Sequence, residues 1–218
     1  ISSNIGEIAN RGIEISLQAH NILNTSNFNW SFDIFFDSNK NKINKLLGLD
    51  NDGDGKEDDL IASGLFIGES IHSIYDYEID GIWQISEEDQ IPDDQDVGSY
   101  KWKDLNGDGK LLPQDDRAIL GRAEPAYSVG IQNSFSYKNL SLNFFINSIQ
   151  GGKDGYMALN EPHHRGGPIL TYRSYLAGVD YWSPSNPDAR FRSGEGARMY
   201  GAGNYQQRNF IRLQNISL

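Results

Sequence analysis

Hydrophobic and polar residues alternate with a period of two along much of this chain, which puts successive side chains on opposite faces of a strand. Behind Asn10-Arg11-Gly12, the run Ile13-Glu14-Ile15-Ser16-Leu17-Gln18-Ala19-His20 predicts a half-buried strand. Asn24-Thr25-Ser26-Asn27 reads as a turn. Phe28, Trp30, Phe32, Ile34 and Phe36 then alternate with Asn29, Ser31, Asp33 and Asp37, and Phe35 is the one break. The same pattern returns in Tyr127, Val129, Ile131, Phe135 and Tyr137, set against Ser128, Gly130, Gln132, Ser134 and Ser136. After a tight turn at Lys138-Asn139, Leu140, Leu142, Phe144 and Ile146 alternate with Ser141, Asn143 and Asn147, which predicts a long hairpin. A last strand begins near Phe210-Ile211-Arg212-Leu213. Helical periodicity is absent from these runs, and the fold class is all-β.

Strands with one aromatic face and one polar face suit two architectures. In a soluble sandwich the apolar face is core; in an outer-membrane barrel it meets lipid and the polar face lines the lumen, here through Asn29, Asp33, Asn143 and Asn147. Parity supplies direction. The short turns near Thr25 and Lys138 fall on one side, as barrel turns do, so residues of about 47–124 and 151–205 form long outer loops. Loops of that length are functional or disordered.

Charge singles out the first of these loops. The net charge is −11, yet 20 acids and only 4 bases fall between Asp50 and Asp116. That balance argues against a nucleic-acid partner and for ion-binding loops. Two ladders carry the argument. Asp104, Asn106 and Asp108 place an oxygen at every second residue, Gly109 follows at the sharp-turn position, Lys110 offers a carbonyl, and Asp115 stands at the closing position. This is the spacing of an EF-hand calcium loop. Asp50, Asp52 and Asp54 repeat it, with the carbonyl of Lys56 and the carboxylate of Asp58, but Ile61 occupies the closing position, so Asp59 is the acid it would borrow. The plainer alternative is a pair of solvated Asx-turn loops without an ion. The cofactor expectation is Ca2+ in a structural role, pinning a crowded acidic loop.

Other chemistry is sparse. The chain has no cysteine, which removes disulfides and thiolate metal sites, and no apolar run long enough for a spanning helix. His163-His164-Arg165 reads as a polar loop rather than a metal site. Tyr172, Tyr175, Tyr181, Trp182, Tyr200 and Tyr205 suit sugar stacking or packing of the loop on itself. The acids fall on loop ladders, not around a cleft, and there is no nucleophile triad, so the chain reads as no enzyme.

Five phrases in order resemble the SusC/RagA-type TonB-linked outer-membrane transporters, in the C-terminal part of their barrel. They are Asn4 to Glu14, Ile74 to Gln84 (with Asp76 where the family has Gly), Tyr100 to Gly121 (with Trp102 as its aromatic), Tyr181 to Pro187, and Asn209 to Leu218. The resemblance implies that 1–218 is a partial C-terminal barrel domain in the bacterial outer membrane, with the plug, the energy-coupling segment, and the earlier and last strands lying elsewhere. It implies lipid around the barrel, a SusD-like surface lipoprotein, contact with TonB through the N-terminal region, and a glycan or oligopeptide cargo. The competing reading is a soluble calcium-stabilised β-module that binds carbohydrate or a protein, as dockerin-like loops do. Against it, Pro113 and a strand follow the second loop where a dockerin-like module has a helix.

Overall fold

The computed structural model describes residues 6–93, 95–154, 180–193 and 205–218. Five strands form one antiparallel sheet: β1 (Glu7–Asn24), β2 (Phe28–Lys45), β7 (Tyr127–Tyr137), β8 (Leu140–Gln150) and β11 (Phe210–Ser217), in that spatial order. The short strands β3 (Ser73–Tyr77) and β6 (Arg117–Arg122) pair, as do β4 (Ile79–Ile82) with β5 (Tyr100–Trp102) and β9 (Lys153–Asp154) with β10 (Gln206–Gln207). The only helical turns among the described residues are two 3₁₀ segments, Ile61–Ser63 and Ile85–Gln90. The chain divides into two compact units, one of residues Ile1–Ile74, Gly121–Lys153 and Gln207–Leu218, the other of Tyr75–Leu120 and Asp154–Gln206.

In the first unit the register makes the alternation continuous across strands. Trp30 pairs with Phe135 and Phe135 with Leu142; Ile34 pairs with Leu17 and Ile131, and Ile131 with Ile146, which pairs with Leu213. Cross-strand partners share a face, so one side of the sheet is apolar from β1 to β11. Its centre is aliphatic and its two ends are aromatic. At the turn end, Trp30 stacks on Phe135 at 5.9 Å, with Phe28 at 6.4 Å from the same ring. At the other end, Phe36 stacks on Tyr127 at 5.9 Å. Asn133, Ser148 and Gln150 are polar residues on this face, and the Trp30 indole N–H donates to Asn133 Oδ1 at 3.4 Å.

The opposite face carries Asn29, Asp33, Asn143 and Asn147 as expected, and it also explains Phe35. Gly130 lies between Phe35 and Asn147 in the ladder, and a Cβ on it would sit 3.0 Å from the Phe145 ring and 3.5 Å from Phe35. The two phenylalanines fill the gap that the glycine leaves.

Both tight turns lie at one end of the sheet: Phe28 pairs with Tyr137, and the Lys138 N–H donates to the Asn27 carbonyl at 2.8 Å. The connections 46–126 and 151–209 leave from the other end. β1 and β2 are longer than the alternation indicates. Beyond Phe36 the residues Ser38, Lys40 and Lys42 make both faces polar and erase the period, while pairing continues to Glu7 with Lys45. Asn21 and Asn215, at φ of 55° and 50°, sit at the register shifts of β1 and β11. Asparagine tolerates that left-handed backbone, so each is a bulge residue.

The second unit is built on aromatic residues. Tyr77, Tyr100 and Trp102 form its buried centre, with Ile79, Ile82 and Leu111 packed against them. The Trp83 indole donates to Gln95 Oε1 at 2.7 Å, and the Trp182 indole to Gln84 Oε1 at 3.0 Å. The stretch 47–124, expected as loop, thus contains four short strands, both 3₁₀ segments and this aromatic core.

Candidate metal centre

The Asp50 ladder begins just past β2. Leu46 is buried, and its N–H and that of Gly48 donate to Glu57 Oε1 at 2.7 and 2.5 Å. The Asp58 N–H donates to the Leu49 carbonyl at 2.7 Å, and the turn closes on itself. Inside it Asp50 accepts from Gly53 N at 2.8 Å and from Gly55 N at 3.1 Å. Asp52 accepts from Asp54 N at 3.1 Å, and Asp54 from Lys56 N at 2.8 Å. Gly53 and Gly55 have φ of 77° and 84°, a backbone that other residues adopt only with strain.

The Asp104 ladder folds the same way. Asp104 accepts from Gly107 N and Gly109 N, both at 2.7 Å, Asn106 from Asp108 N at 3.0 Å, and Asp108 from Lys110 N at 2.8 Å. Gly107 and Gly109 have φ of 74° and 77°. Residue for residue, the two turns share one hydrogen-bond pattern, and Leu111 fastens the second to the aromatic centre.

They diverge after the seventh position. In the first turn the ninth residue is Asp58, and carboxylate oxygens of Asp50, Asp52 and Asp58 lie within 4.8 Å of one another. Asp58 is held there by the backbone and side-chain amides of Asn51, at 2.8 and 2.6 Å. Asp59, the acid expected to be borrowed, instead accepts from Ile67 N at 2.6 Å, and Asp54 faces Lys56 Nζ at 3.8 Å. In the second turn the ninth residue is Leu112, and among the described residues no third acid converges there. Asp115, expected to close the loop, is exposed. Its neighbour Asp116 is the residue turned inward: it is 0 % exposed and accepts from Leu105 N at 2.9 Å and Leu112 N at 2.7 Å. The turn in which Asp115 and Asp116 both donate to the Leu112 carbonyl rotates the chain by that one residue. The N–H of Gly109 above all, with those of Gly107 and Asp108 and a hydrogen bond with Asp116, holds the Asp104 carboxyl below the usual carboxylate range.

Three of the expected sugar-stacking aromatics are occupied in packing. Trp182 is buried, Tyr181 lies 6.5 Å from Phe191, and the Tyr205 hydroxyl donates to Asp76 Oδ2 at 2.8 Å. Burial, and then the Asp76 carboxylate, push the Tyr205 hydroxyl pKa up. Tyr172, Tyr175 and Tyr200, with His163, His164 and Arg165, lie outside the described residues.

No family model matches the chain. Among curated proteins, TonB-dependent receptor P26 of Formosa agariphila is 32% identical over 225 residues, covering 99% of this chain and 22% of that receptor. TonB-dependent receptor P3 of the same organism is 31% identical over 244 residues, covering 98% of this chain and 22% of that receptor. Among solved structures, that of the RagAB peptide transporter matches 98% of this chain and 23% of its own, with a TM-score of 0.64 at 20% identity. Over nearly its whole length the chain is similar to TonB-dependent receptors, and it shares the fold of the matching part of RagAB. It spans about a fifth of the length of the curated receptors it matches, 22% of each. The likeness to RagAB is one of fold, an antiparallel all-β arrangement over 98% of this chain. Receptors and transporters, not enzymes, are its relatives.

Sequence reasoning found both ladders but missed Asp116. Its signal was present: a second acid directly behind the expected one, before the apolar run Ala118-Ile119-Leu120.

Proposed function

We infer that this chain is part of the transmembrane wall of a TonB-dependent outer-membrane importer. The observation that carries this reading is the sheet's continuous apolar face, aliphatic at its centre and ringed by aromatic residues at both ends. β7 and β8 have 11 residues each. That is about 37 Å of strand, which at a tilt of ~45° spans about 26 Å, close to the ~25 Å apolar band of an outer-membrane barrel. Tight turns at one end and long connections at the other match periplasmic turns and extracellular loops.

The cargo is a glycan or an oligopeptide, handed over by a SusD-like surface lipoprotein, with TonB supplying energy through the N-terminal region. The likeness to RagAB, a peptide transporter, supports the oligopeptide arm. Deleting the gene in its own bacterium and measuring uptake of labelled oligosaccharides and oligopeptides tests this: loss of one class is expected, and undiminished uptake of both contradicts it.

Both acidic turns are calcium sites that stiffen the extracellular connection. The clustering of Asp50, Asp52 and Asp58 supports this, because three carboxylates so close repel unless a cation neutralises them. Titration calorimetry on the full-length receptor in detergent tests it. Asp50→Ala/Asp58→Ala and Asp104→Ala/Asp108→Ala should each remove one binding event, and flat traces in the wild type would leave solvated turns.

A further inference from the structure

A cleft of about 280 Å³ is formed entirely within the unit of residues Tyr75–Leu120 and Asp154–Gln206. Ile79 and Ile82 of β4 make one wall, and the segment from Pro187 to Arg190 makes the other. Gln84 ties the walls together. Its amide nitrogen donates to the carbonyls of Ile82 at 2.8 Å and Pro187 at 3.3 Å, while its oxygen accepts from the Trp182 indole. Trp182 in turn packs against Gly98 so closely that a Cβ there would lie 2.5 Å from its ring. The cleft therefore exists before any ligand arrives, which keeps the ordering cost of binding low.

Its polar groups are unequal. The Gln84 amide is fully used in joining the walls. The Arg190 guanidinium lies over the Phe191 ring at 5.4 Å and donates to Gln206 Oε1. Asp188 is exposed and has no hydrogen bond or ion pair among the described residues. The unit that forms the cleft is acidic, with 13 acids to 4 bases between Tyr75 and Leu120. An open carboxylate over an aliphatic floor in a negative field selects a cation with a hydrocarbon stem. The volume is at the small end for a ligand site, room for one side chain rather than an oligosaccharide. The one aromatic residue in its lining, Tyr100, is 3% exposed and offers no ring face for a sugar to stack on.

We propose that this cleft binds a lysine or arginine side chain of a peptide, with its methylenes on Ile79, Ile82 and Pro187 and its charge against Asp188. The site stands without the calcium turns and without the importer reading, since every wall is in the described residues.

Saturation-transfer NMR on the full-length receptor in detergent tests it, using the tripeptides Gly-Lys-Gly, Gly-norleucine-Gly and Gly-Glu-Gly and the sugar maltose as probes. Transfer is expected to the lysine methylenes of Gly-Lys-Gly, weakened by salt. Asp188→Asn, at an exposed residue with no structural bond, should weaken that binding about fivefold, the upper range for an exposed ion pair. Ala189→Trp, which fills the cleft, should abolish it. Equal binding of the norleucine peptide, preference for the glutamate peptide or for maltose, or unchanged binding in Asp188→Asn overturns the proposal.

Discussion

Gly98 shows what a single residue does in the second unit. Its φ of 82° belongs to the left-handed region, and its missing side chain is the space that the Trp182 ring occupies. Gly98→Ala combines a clash with backbone strain, and a loss of about 3 kcal/mol is expected. A lowered thermal transition of the Trp182 fluorescence would register it, whereas Gly81→Ala, whose added Cβ meets nothing within 4 Å, should cost only the backbone strain of its own φ. Asp104 gives a second residue-scale prediction. Its carboxyl pKa is lowered by backbone N–H groups, so its contribution to the turn is present above the ordinary carboxylate range and is lost as pH falls through the depressed value. Protons compete with a cation for carboxylate oxygens, so the calcium binding proposed for this turn should weaken as pH falls. Calorimetric titrations at stepped pH check the sign: affinity that rises on acidification contradicts it. The alternating oxygens of both turns were legible in sequence because the pattern is local. Asp116 was not, because its role depends on where the chain returns after the turn.

At the scale of elements, a strand is legible where its two faces meet different surroundings. β7 and β8 show period two along their length, and their ends and connecting turn follow from it. The distal half of β2 does not, since Lys40, Lys42 and Lys45 leave no apolar face to read, and only pairing with β1 reveals the strand. The ribbons of the second unit were invisible for another reason. They have three to six residues each, and their core joins Tyr77 to Tyr100 and Trp102 across a long sequence gap. No window of the sequence contains that contact. The faces of β7 also allow a paired test. Ile131→Lys puts a charge on the apolar face at mid-strand and should cost about 2–4 kcal/mol of stability in bilayers, while Gln132→Lys on the polar face should cost far less. Urea titration of the receptor folded into lipid vesicles measures both. Equal costs would remove the distinction between the faces.

For the whole molecule the central claim is that the apolar side of the five-stranded sheet faces lipid and the other side faces water. The sheet has β1 and β11 as its edges, with no further strand beside either among the described residues, so neighbouring strands of the barrel are expected to cover them. The family resemblance was legible in five phrases spanning the chain because each phrase is local, and one of them holds the Asp104 ladder. Three of those phrases fall almost wholly in the second unit, but its aromatic core joins residues distant in sequence and carries no such local signal. This chain contains no cysteine, so a single cysteine placed in β7 is the one label site within it. The decisive measurement is electron paramagnetic resonance of a nitroxide placed in turn at residues 129 to 135 of the receptor in lipid bilayers. Accessibility to oxygen dissolved in the bilayer should peak at positions 129, 131, 133 and 135, and accessibility to a water-soluble nickel chelate at 130, 132 and 134. Loss of the alternation, or its opposite phase, would contradict the barrel-wall account.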